Sequence, residues 1–197
     1  MRFLTADYLY PLSSKPIKKG VLQISDDGVI IDIFSERNSF SPQSLETFEG
    51  ILCPGFVNAH CHLELSHLCG HFVKGSGFLD FVSVVKKRDK FRREEILSSI
   101  AKAESKMIEN GIVAVGDICN SSDTILQKKK RNLNYYNFIE VFGVNDNKAE
   151  KIFQDALFLK NKFLAAGLKS TICPHAPYSV PPRLMSKIKN NLDYNDE

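Results

Sequence analysis

The chain has 197 residues, 43% of them hydrophobic and 25% charged, a balance that excludes a wholly disordered, collagen-like or coiled-coil protein. At roughly 150 residues per domain the length allows one domain or one and a part, and it falls short of the ~250 residues of a typical complete (β/α)8 barrel. The net charge of +3, from 26 Lys and Arg against 23 Asp and Glu, is too small to argue for a nucleic-acid or membrane surface.

No stretch approaches the ~18 uncharged apolar residues of a membrane span. The opening Met1-Arg2-Phe3-Leu4-Thr5-Ala6-Asp7 lacks the apolar core of a secretory signal. The five cysteines, Cys53, Cys61, Cys69, Cys119 and Cys173, are odd in number and form no CxxC pair. That pattern argues against a disulfide framework and for a reducing cytoplasm.

Val21 to Ser25 and Val29 to Phe34 are β-branched-rich runs separated by Asp26-Asp27-Gly28, a hairpin signal. The polar stretch 36–45 reads as a loop. Ile51 to Val57 is apolar, contains Pro54-Gly55, and leads into Asn58-Ala59-His60. A helix is expected over 92–110, where Ile96, Ile100, Ala103 and Met107 share one face and Gly111 supplies the stop. Ile112 to Ile118 reads as a buried parallel strand. Asp123 caps a short helix running into Lys128-Lys129-Lys130-Arg131, and 138–144 is the next strand. A second amphipathic helix covers 148–166, with Ile152, Ala156, Leu159 and Phe163 on one face and Gly167 after it. Leu168 to Cys173 is a strand again, and beyond Ser179 the spacing of Leu184, Ile188 and Leu192 predicts a last helix. A β-rich start followed by four β-α units predicts an α/β fold with a parallel sheet, divided into segments 1–55 and 56–197.

Four of the five histidines lie in one short segment: His60, His62, His67 and His71. On a strand, residues i and i+2 point to the same side, so His60 and His62 can offer two imidazoles to one point. Neutral imidazole suits zinc, and equally iron or nickel. The pair follows an apolar run, where a strand ends and a loop begins, and in parallel α/β folds ligands gather at the carboxyl ends of strands. His175 holds the equivalent place after the last strand, its backbone fixed by Pro174 and Pro177.

The run Cys53-Pro54-Gly55-Phe56-Val57-Asn58-Ala59-His60-Cys61-His62 resembles the first metal motif of the amidohydrolase superfamily. Pro174-His175-Ala176-Pro177-Tyr178-Ser179 resembles a second motif of its deaminase and chlorohydrolase branch, which includes aminodeoxyfutalosine, S-adenosylhomocysteine and cytosine deaminases. The resemblance implies an incomplete (β/α)8 TIM-like barrel of about four βα units, preceded by part of a small β-sandwich. It implies His60 and His62 as ligands of one divalent metal, zinc first and iron as the alternative. It further implies His175 as a substrate contact, with Glu64, Tyr178 and Ser179 lining the pocket. Asp117 would support loop architecture, and His67 and His71 match no family motif. The activity implied is hydrolysis of a C–N bond in an aminated, purine-like small molecule by metal-activated water. The remaining metal ligands and the proton-transfer residues would follow strands five to eight of such a barrel, so the catalytic residues are expected beyond Glu197 and the chain alone is expected to be inactive.

Two further readings belong beside this one. Half a barrel has open sheet edges that pair with other chains, which fits a non-catalytic binding or dimerisation module and a homo-oligomer. The basic run at Lys128, near Tyr135 and Tyr136, has the ingredients of a single-strand nucleic-acid surface. A solvated helix end explains the same run, so no nucleic-acid partner is expected.

Overall fold

The computed structural model describes residues 1–191, apart from the Asp89 side chain. Its contacts divide at Gly55 into two units. The first carries β1 (Arg2–Thr5), β2 (Tyr8–Leu9), β3 (Ile17–Lys18), β4 (Val21–Ile24), β5 (Ile30–Phe34), β6 (Leu45–Thr47) and β7 (Ile51–Leu52). Two sheets result, one in the order β5-β4-β1-β6 and one in the order β3-β2-β7. The hairpin signal holds: β4 and β5 pair antiparallel, and Gly28 turns the chain at φ +85°, a left-handed conformation that costs a glycine nothing.

From Phe56 on, the chain alternates. β8 (Phe56–Cys61) is followed by a 3-10 turn at Leu63–Leu68, then α1 (Phe78–Val85), α2 (Arg93–Glu109), β9 (Ile112–Cys119), α3 (Ile125–Lys128), β10 (Asn134–Val141), α4 (Ala149–Ala165), β11 (Ser170–Pro174) and α5 (Pro182–Asn190). The four strands form one sheet in the order β11-β10-β9-β8, parallel at every pairing. α2 and α4 end at Gly111 and Gly167, both at positive φ, as the sequence predicts.

The two faces of this sheet differ. Ile139, Val141 and Ile172 bury themselves against Phe153, Ala156 and Phe163 of α4 and Leu184 and Ile188 of α5. A fully buried side chain of this size contributes roughly 1.5–3 kcal/mol, so the α4 and α5 stripes hold the helices to the strands. The other face is an open concavity of about 350 Å³ lined by Val57, Ala59, Ala114, Gly116, Tyr136 and Phe138. Gly116 is required there: a Cβ would lie 2.8 Å from the Ala59 carbonyl oxygen, so its hydrogen lets β8 and β9 approach closely.

Several sequence expectations shift. The apolar run Ile51 to Val57 is two strands, divided by Pro54-Gly55, and β8 continues through His60 to Cys61. β10 begins at Asn134 and ends at Val141 instead of covering 138–144, because Tyr135 and Tyr136 are good strand formers between flanking asparagines. The helix after Asp123 is only Ile125–Lys128, and Lys128, read as part of a solvated end, is 1% exposed. α1 had no expectation, and none of its residues is buried. The last helix is described to Asn190, and Leu192 lies outside the described residues.

Candidate metal and substrate site

β8 delivers the histidines through an irregularity rather than simple alternation. Val57 pairs with Ala114 and Asn58 with Val115, but the next pairing is Cys61 with Asp117, and the register shifts between them. One partner residue, Gly116, therefore faces two, Ala59 and His60: a β-bulge, which re-aims a side chain. Asn58 turns its amide toward Met107 of α2 at 3.7 Å, and Ala59 lines the open concavity. The His60 and His62 rings stand together, centroids 5.2 Å apart and planes at 69°.

The segment just after His62 is anchored to the sheet. The Leu63 backbone N–H donates to Asp117 Oδ1 at 2.8 Å. Asp117 is fully buried, and its other oxygen meets Lys128 Nζ at 2.5 Å. The same ammonium donates to Asn137 Oδ1 at 2.6 Å. Asp117 and Asn137 are register partners on β9 and β10, so one lysine from α3 ties two strands together. Its Nζ also lies 5.0 Å from the Tyr135 ring centroid and 5.2 Å from that of Phe163, favourable cation–π placements. Asp117 thus fixes the chain that carries the histidines.

Glu64, expected in the pocket, is 3% exposed. Its Oε2 accepts from the Asn120 N–H at 3.0 Å, the Ser121 N–H at 2.7 Å and the Ser121 hydroxyl at 2.8 Å, and Arg88 lies 3.5 Å from Oε1. Burial pushes the Glu64 carboxyl up, against those donors, which pull it down. The carboxylate serves the loop after β9. His67 and His71 both stack edgewise on Phe91, and His67 Nε2 is 3.2 Å from the Arg88 carbonyl, so neither joins the pair.

His175 follows β11, its N–H donating to the Val141 carbonyl at 3.0 Å. Its Nδ1 is 2.7 Å from Ser179 Oγ, and its ring is flanked by Phe142 and Tyr178, each at 5.9 Å. Burial holds the His62 imidazole below its ordinary pKa, with the charge of Glu140 the largest opposing influence and that of His175 a further one on the lowering side. His62, Glu140 and His175 are thus within electrostatic reach at the carboxyl ends of β8, β10 and β11. Cys61 and Cys173, the two thiols beside these histidines, are not nucleophiles in waiting: burial pushes Cys61 up to about 12 and Cys173 to about 11.

The pair fits a borderline divalent cation. His62 is depressed toward the neutral form that ligates, and its Nδ1 is a buried nitrogen with no hydrogen-bond partner, a group that needs an acceptor or a cation. Among the described residues no three His, Cys, Asp or Glu side chains converge as a complete metal cage. Sequence reasoning missed Lys128, Glu140 and Phe142. A buried lysine inside a basic run leaves no local signal, whereas the strand parity of Glu140 with Tyr136 and Phe138 was readable once β10 was correctly begun.

Comparison with known proteins follows the same outline. Residues 51–196 match the amidohydrolase family model. An adenosine deaminase of Helicobacter pylori is 31% identical over 131 residues, covering 66% of this chain and 32% of that protein. The crystal structure of Helicobacter pylori aminofutalosine deaminase with methylthio-coformycin superposes with a TM-score of 0.74 at 23% identity, covering 96% of this chain and 48% of that one. A Xanthomonas campestris adenosine deaminase with bound zinc superposes at 0.67 and 15% identity, over 95% and 46% of the two chains. The chain thus spans less than half of the length of each of these three proteins, and its sheet is four strands of a partial amidohydrolase barrel.

Proposed function

The chain belongs to the amidohydrolase family, and on that premise we propose that it forms the metal-bearing first half of a deaminase barrel, acting on a C–N bond of an aminated purine-like nucleoside. The observation that carries the reading is the His60–His62 pair, set side by side at the carboxyl end of β8 with a buried, unpartnered Nδ1 on His62. The nucleoside class is supported by the 31% identical relative that carries the name adenosine deaminase.

In this reading His60 and His62 hold one divalent cation, zinc or iron. When bound, such a cation supplies the Lewis acidity that makes water a nucleophile near neutral pH. The chain's own residues position and shield. Asp117 holds Leu63 and with it the approach of His62, Lys128 neutralises Asp117, and Glu64 fixes the Asn120–Ser121 loop. His175 and Tyr178, with Phe142, offer an aromatic wall at the ends of β10 and β11. A catalytic zinc takes three protein ligands and keeps one open position. Among the described residues no third His, Cys, Asp or Glu joins the pair, so in this reading the pair lacks its third ligand and the groups that carry protons to the leaving amine. The five unpaired cysteines support a reducing, cytoplasmic setting, and no helix among the described residues is long and apolar enough to cross a membrane.

The test uses the chain as it stands, incubated with zinc and adenosine, 5′-methylthioadenosine or S-adenosylhomocysteine. Nucleoside binding is followed by ultraviolet difference spectra and hydrolysis by ammonia release. The expected result is binding that needs zinc, without turnover. Ammonia release by residues 1–197 alone would overturn the claim of missing donors. Nucleoside binding indifferent to zinc, or none, would overturn the deaminase reading.

A further inference from the structure

The hydrogen bonds around His175 bear on which of its nitrogens carries the proton. Ser179 Oγ has a single hydrogen. It lies 3.1 Å from the Ala176 carbonyl oxygen, to which it donates, and 2.7 Å from His175 Nδ1. If Nδ1 carries the proton, it donates to Ser179 Oγ, the hydroxyl hydrogen goes to Ala176, and both contacts are bonds. If Nδ1 is bare, the hydroxyl hydrogen must turn to it, and the Ser179–Ala176 contact becomes lone pair against lone pair at 3.1 Å. Counting donors favours the first arrangement. The neighbourhood is rigid enough to enforce it. The Ser179 N–H donates to the same Ala176 oxygen at 3.0 Å, and the Ser179 carbonyl accepts from the Gly143 N–H at 2.7 Å. Pro174 and Pro177 restrict the backbone on either side.

We propose that Ser179 is a positioning residue that locks His175 as its Nδ1–H tautomer, so that Nε2 presents a lone pair, between Phe142 and Tyr178, to an N–H donor on the edge of a planar heterocycle. The flanking rings give the site its shape. Phe142 is 52% exposed and Tyr178 76% exposed, and each meets the His175 ring edge-on, at 61° and 89°. Both rings are exposed enough to meet a flat ligand ring, and an imidazole lone pair between them would favour a ring that bears an amine over one that does not. Ser179 then acts through His175, and Phe142 joins the residues that recognise the substrate. The identity of the ring rests on the function proposed above; the tautomer does not.

The experiment is a two-bond ¹⁵N–¹H spectrum of the uniformly labelled chain, recorded well above the ordinary imidazole pKa, with His175 assigned by its loss in His175→Gln. Wild type should show a protonated Nδ1 and a bare Nε2. Ser179→Ala should move the equilibrium toward the Nε2–H form, and Ser179→Thr, which keeps the hydroxyl, should restore the wild-type pattern. An Nε2–H tautomer in wild type, or a Ser179→Ala spectrum like wild type, would overturn the lock. In a second arm, 9-methyladenine and 9-methylpurine, which differ only in the amine, are titrated against the Nε2 resonance. The amine should strengthen binding by roughly 3–10-fold, the factor one neutral hydrogen bond supplies. Equal binding of the two would overturn the donor assignment, and binding of neither would overturn the cradle. The tautomer stands or falls on the first arm alone, so its failure is distinguishable from failure of the deaminase reading.

Discussion

Replacing Lys128 by alanine is expected to lower the stability of the chain by about 3–5 kcal/mol, the cost of leaving a buried charge without its partner. The Lys128 and Asp117 side chains are both fully buried, so no water is at hand to solvate the orphaned carboxylate, and Asn137 Oδ1 loses its ammonium donor and keeps only the weak Cys119 thiol. The signature is a lower urea midpoint with an unchanged slope. Lys128→Met keeps most of the volume and should cost nearly as much, because the loss is electrostatic. Combining it with Asp117→Asn removes both charges and should recover most of the deficit, as buried ion pairs replaced by neutral groups commonly do. If Lys128→Ala were neutral, the ammonium would not be the tie between β9 and β10, and the anchor on Leu63 would have another origin. Loss of the tie should also loosen the segment after His62, so Lys128→Met is expected to weaken metal binding although Lys128 touches no metal ligand.

The second large effect is on the metal itself. His60→Ala or His62→Ala should each reduce zinc affinity by more than the ~10–100-fold that loss of a mere supporting residue costs, read by competition with a chelating dye. His71→Ala, at a histidine that stacks on Phe91, should leave affinity unchanged and controls for adventitious surface histidines. Equal loss in all three variants would mean that the segment binds metal diffusely and that the paired geometry has no special role.

How much of this was legible beforehand differs from residue to residue. The His60–His62 pair and the place of His175 were visible because strand ends in parallel α/β folds are marked by local signals: an apolar run, a proline, a polar break. Helices α2 and α4 announced themselves by 3.6-residue periodicity and a terminal glycine. The bulge at Ala59–His60 was invisible, since a two-residue spacing looks the same on a regular strand, and the extra residue shows only against the partner strand. Lys128 was misread for the same kind of reason. Within Lys128-Lys129-Lys130-Arg131 nothing local marks the one side chain that turns inward, because its partners lie on β9 and β10. Glu64 sits two residues from a metal motif, the place from which the resemblance implies a pocket-lining role. Its bonds go to Asn120 and Ser121, more than fifty residues along the chain, a distance over which sequence pattern carries no information about contact.

In the proposed site the end of β8 and the residue after it present His60 and His62 together to a divalent cation. Crystals of the chain grown with zinc and measured on both sides of the zinc absorption edge test it directly. The account predicts an anomalous peak about 2.0–2.1 Å from a ring nitrogen of each of the two histidines. A peak only at exposed groups such as Cys69 or His71, or no peak at all, would contradict it.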